Sequence, residues 1–179
     1  MLFRSPISQP TFVEAGVGSG CISVSILHSL TASKAVATDV SNEALRLSAR
    51  NAQRLNVADR LELRNADLFS GVSGSYDAVV SNPPYIPEGD RETLQDEVRL
   101  FEPATALFAG EDGLAVVRRI VRDAGHVLRA GGVLLMEIGF GQSNQVGQML
   151  SLTGWDDVTF IRDLQGIDRV ARAVLRGDN

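Results

Sequence analysis

The sequence predicts an α/β fold, a parallel sheet with helices on both faces, in one domain. Three observations predict it. Short apolar runs of strand length alternate with longer segments of helical periodicity from Thr11 to Leu175. The first run passes through a glycine-rich turn, Gly16 to Gly20, directly into a helical segment. Asp39, Asp67 and Asn82 each stand at the carboxyl end of a predicted strand, the edge at which such sheets receive ligands.

Thr11-Phe12-Val13-Glu14-Ala15 is the first strand, and Gly16-Val17-Gly18-Ser19-Gly20 follows it. Apolar Ile22, Val24, Ile26, Leu27 and Leu30 mark a buried helix from Cys21 to Leu30. Strand, glycine turn and helix form the first half of a nucleotide-binding βαβ unit. Glycine lets the backbone turn sharply and lets a ligand approach with no Cβ in the way. The spacing is G-x-G-x-G rather than the dinucleotide G-x-G-x-x-G, and a simple turn is the alternative reading. Ala35 to Thr38 is the second strand. It ends in Asp39, placed to accept hydrogen bonds from ribose hydroxyls, or to cap a helix that Ser41 and Asn42 can cap without it. Asn42 to Leu55 is an amphipathic helix, with Ala44, Leu45, Leu47, Ala49, Ala52 and Leu55 apolar and Arg46, Arg50 and Arg54 on a solvated face.

Leu61-Glu62-Leu63 is the third strand. Asp67 follows it, placed to accept from an exocyclic amine, with Leu68 and Phe69 as apolar surface beside it. After a Gly/Ser-rich loop from Gly71 to Ser75, Tyr76 to Val80 is the fourth strand. Pro87 to Glu97 reads as a loop with a short helix over the site, Asp112 to Arg129 as one long helix stopped by Gly131-Gly132, and Val133 to Gly139 as a strand buried on both faces except at Glu137. Gln142 to Leu152 is helical, and Val158 to Ile161 and Arg169 to Leu175 are the sixth and seventh strands.

The stretch that organises the rest is Ser81-Asn82-Pro83-Pro84-Tyr85-Ile86. Two consecutive prolines supply no N–H to a sheet ladder, so the chain leaves the fourth strand stiff and extended. An amide (Asn82) and a flat ring (Tyr85) then form a receptor for a planar, hydrogen-bonding group. A proline turn closed by a packing tyrosine is the plainer reading. Its position on the same edge as the glycine turn, Asp39 and Asp67 favours a site.

Composition excludes several classes. A chain of 179 residues with 44% hydrophobic and 22% charged residues is of ordinary globular make-up. A net charge of −5 argues against a chain-wide nucleic-acid footprint. The single Cys21 allows no internal disulfide, and His28 and His126 lack metal-ligand spacing. No apolar run approaches the roughly 18 residues of a membrane span.

The set Glu14 to Gly20, Asp39, Asp67 and Asn82-Pro83-Pro84-Tyr85 resembles the class I S-adenosyl-L-methionine-dependent methyltransferases. The resemblance implies a Rossmann-like fold of seven strands, mostly parallel, with the last antiparallel. It implies that Gly16, Val17, Gly18, Ser19 and Gly20 lie along the cofactor, Asp39 on its ribose, and Asp67 with Leu68 around adenine. Asn82, also counted with the cofactor, would act with Pro83, Pro84 and Tyr85 as the catalytic segment. The product would be S-adenosyl-L-homocysteine, and no metal is implied. Asn-Pro-Pro-Tyr is shared by groups that methylate an NH2 nitrogen. Glu97, Phe101-Glu102-Pro103, Ala106-Leu107, Gly110 to Leu114, Gly131-Gly132, Glu137-Ile138-Gly139, Gln142, Asp163 and Asp168-Arg169-Val170 are similar to the HemK/PrmC group, the release factor glutamine methyltransferases. That group implies methyl transfer to the side-chain N5 of a glutamine in the Gly-Gly-Gln motif of a peptide chain release factor, with the release factor as protein partner. Neither nucleic acid nor membrane is implied, and a monomer is expected. An adenine-N6 nucleic-acid methyltransferase and an inactive cofactor-binding partner subunit are the alternatives.

Members of the group carry an N-terminal helical domain, which this sequence does not show. Residues 1–10 therefore read as a leader or fragment edge and 11–179 as the methyltransferase domain. Phe12-Val13-Glu14 and Asn51-Ala52-Gln53-Arg54-Leu55 look closer to an animal mitochondrial branch, giving a mitochondrial matrix location, with bacterial cytoplasm as the alternative.

Overall fold

A computed structural model of the chain describes residues 9–93 and 103–177. Residues 1–8, Glu97, Phe101 and Glu102 of the readings above lie outside the described residues. Among the described residues seven strands form one sheet: β1 (Thr11–Ala15), β2 (Lys34–Asp39), β3 (Leu61–Asn65), β4 (Tyr76–Ser81), β5 (Leu128–Glu137), β6 (Trp155–Arg162) and β7 (Asp168–Leu175). Their order is β3-β2-β1-β4-β5-β7-β6. The first five are mutually parallel, and β7 runs antiparallel to both β5 and β6. This is the topology the resemblance implies. Among the described residues the helices are α1 (Cys21–Ser29), α2 (Asn42–Arg54), the short α3 (Ala104–Leu107), α4 (Ala115–Asp123) and α5 (Ser143–Leu152).

Alternation along the strands builds two cores. Val13, Ala15 and Val79 face one way, into a cluster with Leu114, Val117, Ile120, Val146 and Leu150 around α4 and α5. Phe12, Ala78 and Val80 face the other way, with Val24, Leu27 and Ala52 of α1 and α2. Burial on both faces is why these strands read as near-continuous apolar runs. At the sheet's far end the single tryptophan, Trp155, is buried and donates its indole N–H to the Val121 carbonyl at 3.1 Å, tying the start of β6 to α4.

Three expectations are corrected. The long helix from Asp112 to Arg129 is instead α4 followed by a 3-10 turn, Ala124–His126, and β5 already begins at Leu128. Gly131 and Gly132 lie inside β5, where the pairing with β4 shifts register between Tyr76/Leu128 and Ala78/Val133. Gly131 takes φ 72° there, and the Arg129 guanidinium meets the Asp77 carboxylate at 2.7 Å. On α2 the buried residues are Ser48 and Ala52, while Leu47 and Leu55 are exposed. Phe69 does not border the site; it is buried in the core under α4.

Candidate active site

The chain runs β1-β2-β3 towards one edge of the sheet and then returns to place β4 on the other side of β1. The β1/β4 junction is therefore the topological switch point, where a crevice opens at the carboxyl ends. Ala15 at the end of β1 lies level with Thr38 on β2 and Ser81 on β4, and Ser81 lies level with Met136 on β5. Gly16, Asp39, Asn82 and Glu137 consequently stand one strand apart along a single rim.

The glycine turn is shaped by its own backbone bonds. The N–H groups of Gly16 and Val17 both donate to the Thr38 carbonyl at 2.9 Å, and Gly20 N–H donates to the Val17 carbonyl at 2.8 Å. Gly16, Gly18 and Gly20 have φ of 75°, 53° and 80°, a region that side chains disfavour. They serve two purposes. A Cβ on Gly16 or Gly18 would meet no atom of the described residues within 4 Å, so among these residues the two border open space. A Cβ on Gly20 would come within 2.4 Å of Ser48 Oγ, so this glycine lets α2 close on the turn. Ser19 is exposed, and its carbonyl accepts from Asn51 Nδ2 at 2.9 Å. The Val17 side chain is buried in the core on the α1 side, not turned to the crevice.

Asp39 has a role that periodicity does not reveal. Its Oδ2 accepts from Gly18 N–H at 2.9 Å and its Oδ1 from Ser41 N–H at 2.8 Å. The carboxylate thus braces the glycine turn, and Ser41 caps α2 through Ala44 N–H. Next to it the Val40 side chain is 62% exposed, an apolar surface on the rim that sequence reading missed. Asn65 Nδ2 joins the β3 end to the carbonyls of Asp39 and Val40. Asp67 lies two residues past β3, exposed, and pairs with Arg119 of α4 at 2.8 Å. Leu68 takes φ 50° and packs partly against the core.

Under the turn, Glu14 is 1% exposed. Its carboxylate accepts from the Ser23 N–H at 2.9 Å and from the Ser23 hydroxyl. Burial pushes its pKa up to about 7; the bonds from Ser23 oppose the rise and the Asp39 charge adds to it.

In the proline segment the Asn82 side chain is exposed and has no hydrogen-bond partner among the described residues, while Pro83 is buried. Ser81 Oγ donates to the Ala15 carbonyl at 2.7 Å, fastening the β4 end to β1. The Tyr85 hydroxyl donates to Glu137 Oε1 at 3.0 Å, which answers the question that a carboxylate in an apolar strand poses. Burial, then the Glu137 charge, raises the Tyr85 phenol above its usual range. Beyond it, Ile86 N–H donates to Leu107 O and Ala109 N–H to Ile86 O, both at 3.0 Å, and a 3-10 turn, Glu88–Thr93, brings Arg91 4.5 Å over the Phe108 ring. Asp163 accepts from the N–H groups of Gln165 and Ile167 and from Arg169, so this matched residue organises the β6–β7 hairpin.

An open glycine turn and a rigid amide-bearing segment, facing across the switch point of a sheet with an antiparallel β7, define a Rossmann-like methyltransferase domain. The chain belongs to the methyltransferase small domain family, whose model matches residues 4–109. It is 43% identical over 97% of its length to a release factor glutamine methyltransferase of Cereibacter sphaeroides, covering 63% of that protein. It is 43% identical over 88% of its length to one of Geobacter sulfurreducens, covering 55%. The chain thus spans little more than half the length of these curated relatives. In fold it is similar to a methyltransferase from Pyrococcus furiosus (TM-score 0.69, 17% identity, 96% of this chain and 78% of that one). It is also similar to an RNA methyltransferase from Salinibacter ruber in complex with S-adenosyl-L-homocysteine (TM-score 0.61, 16% identity, 95% and 83%). Both named relatives are bacterial, and the expected mitochondrial matrix location finds no support in them. Among the described residues no helix is long and apolar enough to cross a membrane.

Proposed function

We propose that the chain carries the catalytic domain of a release factor glutamine methyltransferase, using S-adenosyl-L-methionine to methylate the side-chain nitrogen of a glutamine in a bacterial peptide chain release factor. The observation that carries amide methylation is the exposed Asn82 amide at the switch point, without a partner among the described residues and one strand from the open glycine turn. The identity to release factor glutamine methyltransferases over most of this chain supports the choice of acceptor.

The rim fits the cofactor. Gly16 and Gly18 leave their Cβ positions open, Asp39 presents a carboxylate already braced by two N–H groups, and Val40 offers an apolar face. Gly16, Gly18, Ser19, Gly20, Asp39, Asp67 and Leu68 would hold it, with Val17 acting only through the backbone. The cofactor supplies an electrophilic methyl carbon on a sulfonium. A glutamine amide is a poor nucleophile, because its nitrogen lone pair is shared with the carbonyl. Asn82 Oδ1 and the Pro83 carbonyl accept the two amide hydrogens and aim the nitrogen, and they stabilise the positive charge that grows there. Pro84 keeps the segment stiff and Tyr85 flanks the amide plane. The amide sheds one proton to water afterwards, so no general base is needed.

Incubation with methyl-labelled cofactor and a release-factor domain bearing Gly-Gly-Gln tests the reading, with duplex DNA as the competing acceptor. Asn82→Ala is expected to lose most of the turnover while calorimetry shows cofactor affinity retained. Label on DNA alone, or near-wild-type transfer by the variant, refutes it.

A further inference from the structure

Pro83 and Pro84 have no N–H, so the acceptor segment cannot be fixed as a strand would be. What holds it must grip its carbonyls and side chains. One buried amide does so. Gln142 is 7% exposed and lies 57 residues beyond Tyr85. Its Nε2 donates to the Tyr85 carbonyl at 3.0 Å and to the Gly113 carbonyl at 3.4 Å, and its Oε1 accepts from Gly139 N–H at 2.8 Å. One side chain therefore stitches three loops: the proline segment, the turn before α4 and the turn between β5 and α5.

The fit leaves little slack. A Cβ on Gly113 would stand 2.3 Å from the Tyr85 oxygen and 3.1 Å from Gln142 Nε2. A Cβ on Gly139 would stand 2.9 Å from Gln142 Oε1 and 3.2 Å from the Tyr85 ring. Both neighbours are glycine, and the gripping group must donate on one side and accept on the other, which neither an ionised Glu nor Leu can do. Gln142 is itself held: its N–H donates to the Gly139 carbonyl at 3.2 Å, and its carbonyl accepts from Val146 N–H at 3.0 Å in the first turn of α5. The Tyr85 hydroxyl on Glu137 fixes the other end of the same residue.

We propose that Gln142 is a positioning residue for methyl transfer, anchoring the Asn82–Tyr85 segment to the start of α5 through the Tyr85 carbonyl so that Asn82 and Pro83 present their acceptors in fixed register. The proposal rests on the function given above, and deepens it. Gln142→Glu keeps the acceptor for Gly139 and turns a carboxylate oxygen against two carbonyls. Gln142→Met keeps the volume and removes both polar contacts.

The test uses the full chain and three readouts: kcat with the release-factor domain, cofactor affinity by calorimetry, and hydrogen exchange by mass spectrometry. The expected result is a fall in kcat of about 10–100-fold, as for a small misplacement of a reacting group. Exchange at Ile86 and Glu88 is expected to accelerate about tenfold, with little change in the strands. Cofactor affinity should stay within about twofold of wild type. Unchanged exchange at Ile86 and Glu88 in both variants overturns the proposal. So does acceleration spread over the whole sheet, or a loss of cofactor affinity equal to the loss of kcat. A wild-type chain that transfers no methyl to the release factor refutes the function instead, and the exchange result then judges Gln142 alone.

Discussion

Glu14→Gln is the perturbation with the best-defined consequence. Glu14 is buried beneath the glycine turn, bonded to Ser23, with its pKa raised from 4.5 to about 7 chiefly by burial. The folded protein then holds a proton on Glu14 that the unfolded chain has released. Stability from this group falls as pH rises, starting near the unfolded value of 4.5 and levelling off above about 7. At roughly 1.4 kcal/mol per pH unit, the full loss is about 3 kcal/mol. Glutamine keeps an acceptor for Ser23 N–H and never ionises. The variant should therefore gain on the wild type by about 3 kcal/mol between the acid and alkaline ends of that window. Paired carboxylates such as Asp112, lowered to about 2 first by its bond from Arg118, titrate below it and leave it clear. Urea unfolding followed by far-UV circular dichroism, from about pH 5 to about pH 8, reads the difference directly. Parallel stability profiles for wild type and variant would refute a raised Glu14.

Three further single variants concern the same turn. Gly20→Ala should destabilise by about 1–3 kcal/mol through its contact with Ser48. Ser48→Ala removes a buried hydroxyl that has no partner among the described residues and should cost nothing or gain about 1 kcal/mol, recovering part of the Gly20→Ala loss in the double variant; thermal melts check all three. Asp39→Ala should weaken S-adenosyl-L-methionine binding by about 1–3 kcal/mol in calorimetry, partly through loss of its bond to Gly18 N–H.

The parts legible in the sequence were those set by local chemistry. β1, with Thr11 and Ala15 as its bounds, and α1 and α2 follow from apolar period, glycine and caps. The rim positions of Asp39 and Asn82 follow from strand ends. Gly131-Gly132 misled because Leu128 continues the apolar spacing of α4, and nothing local says that a strand can carry a glycine bulge there. Phe69 looked like site surface because sequence does not tell which way a loop residue turns. Asp39 on Gly18, Tyr85 on Glu137 and Gln142 on Tyr85 join residues 21, 52 and 57 positions apart. No window of local pattern contains such pairs.

Trp155 marks the quiet end of the molecule. It begins β6, while the rim lies at the other end of that strand, near Arg162, roughly 20 Å away at the rise of a β-strand. The protein's only indole is thus a built-in optical probe of the α4–β6 contact, dark to events in the crevice. Its emission should shift to the red on unfolding yet stay unchanged on cofactor titration. One cuvette can therefore separate a variant that has lost its fold from one that has lost only its ligand.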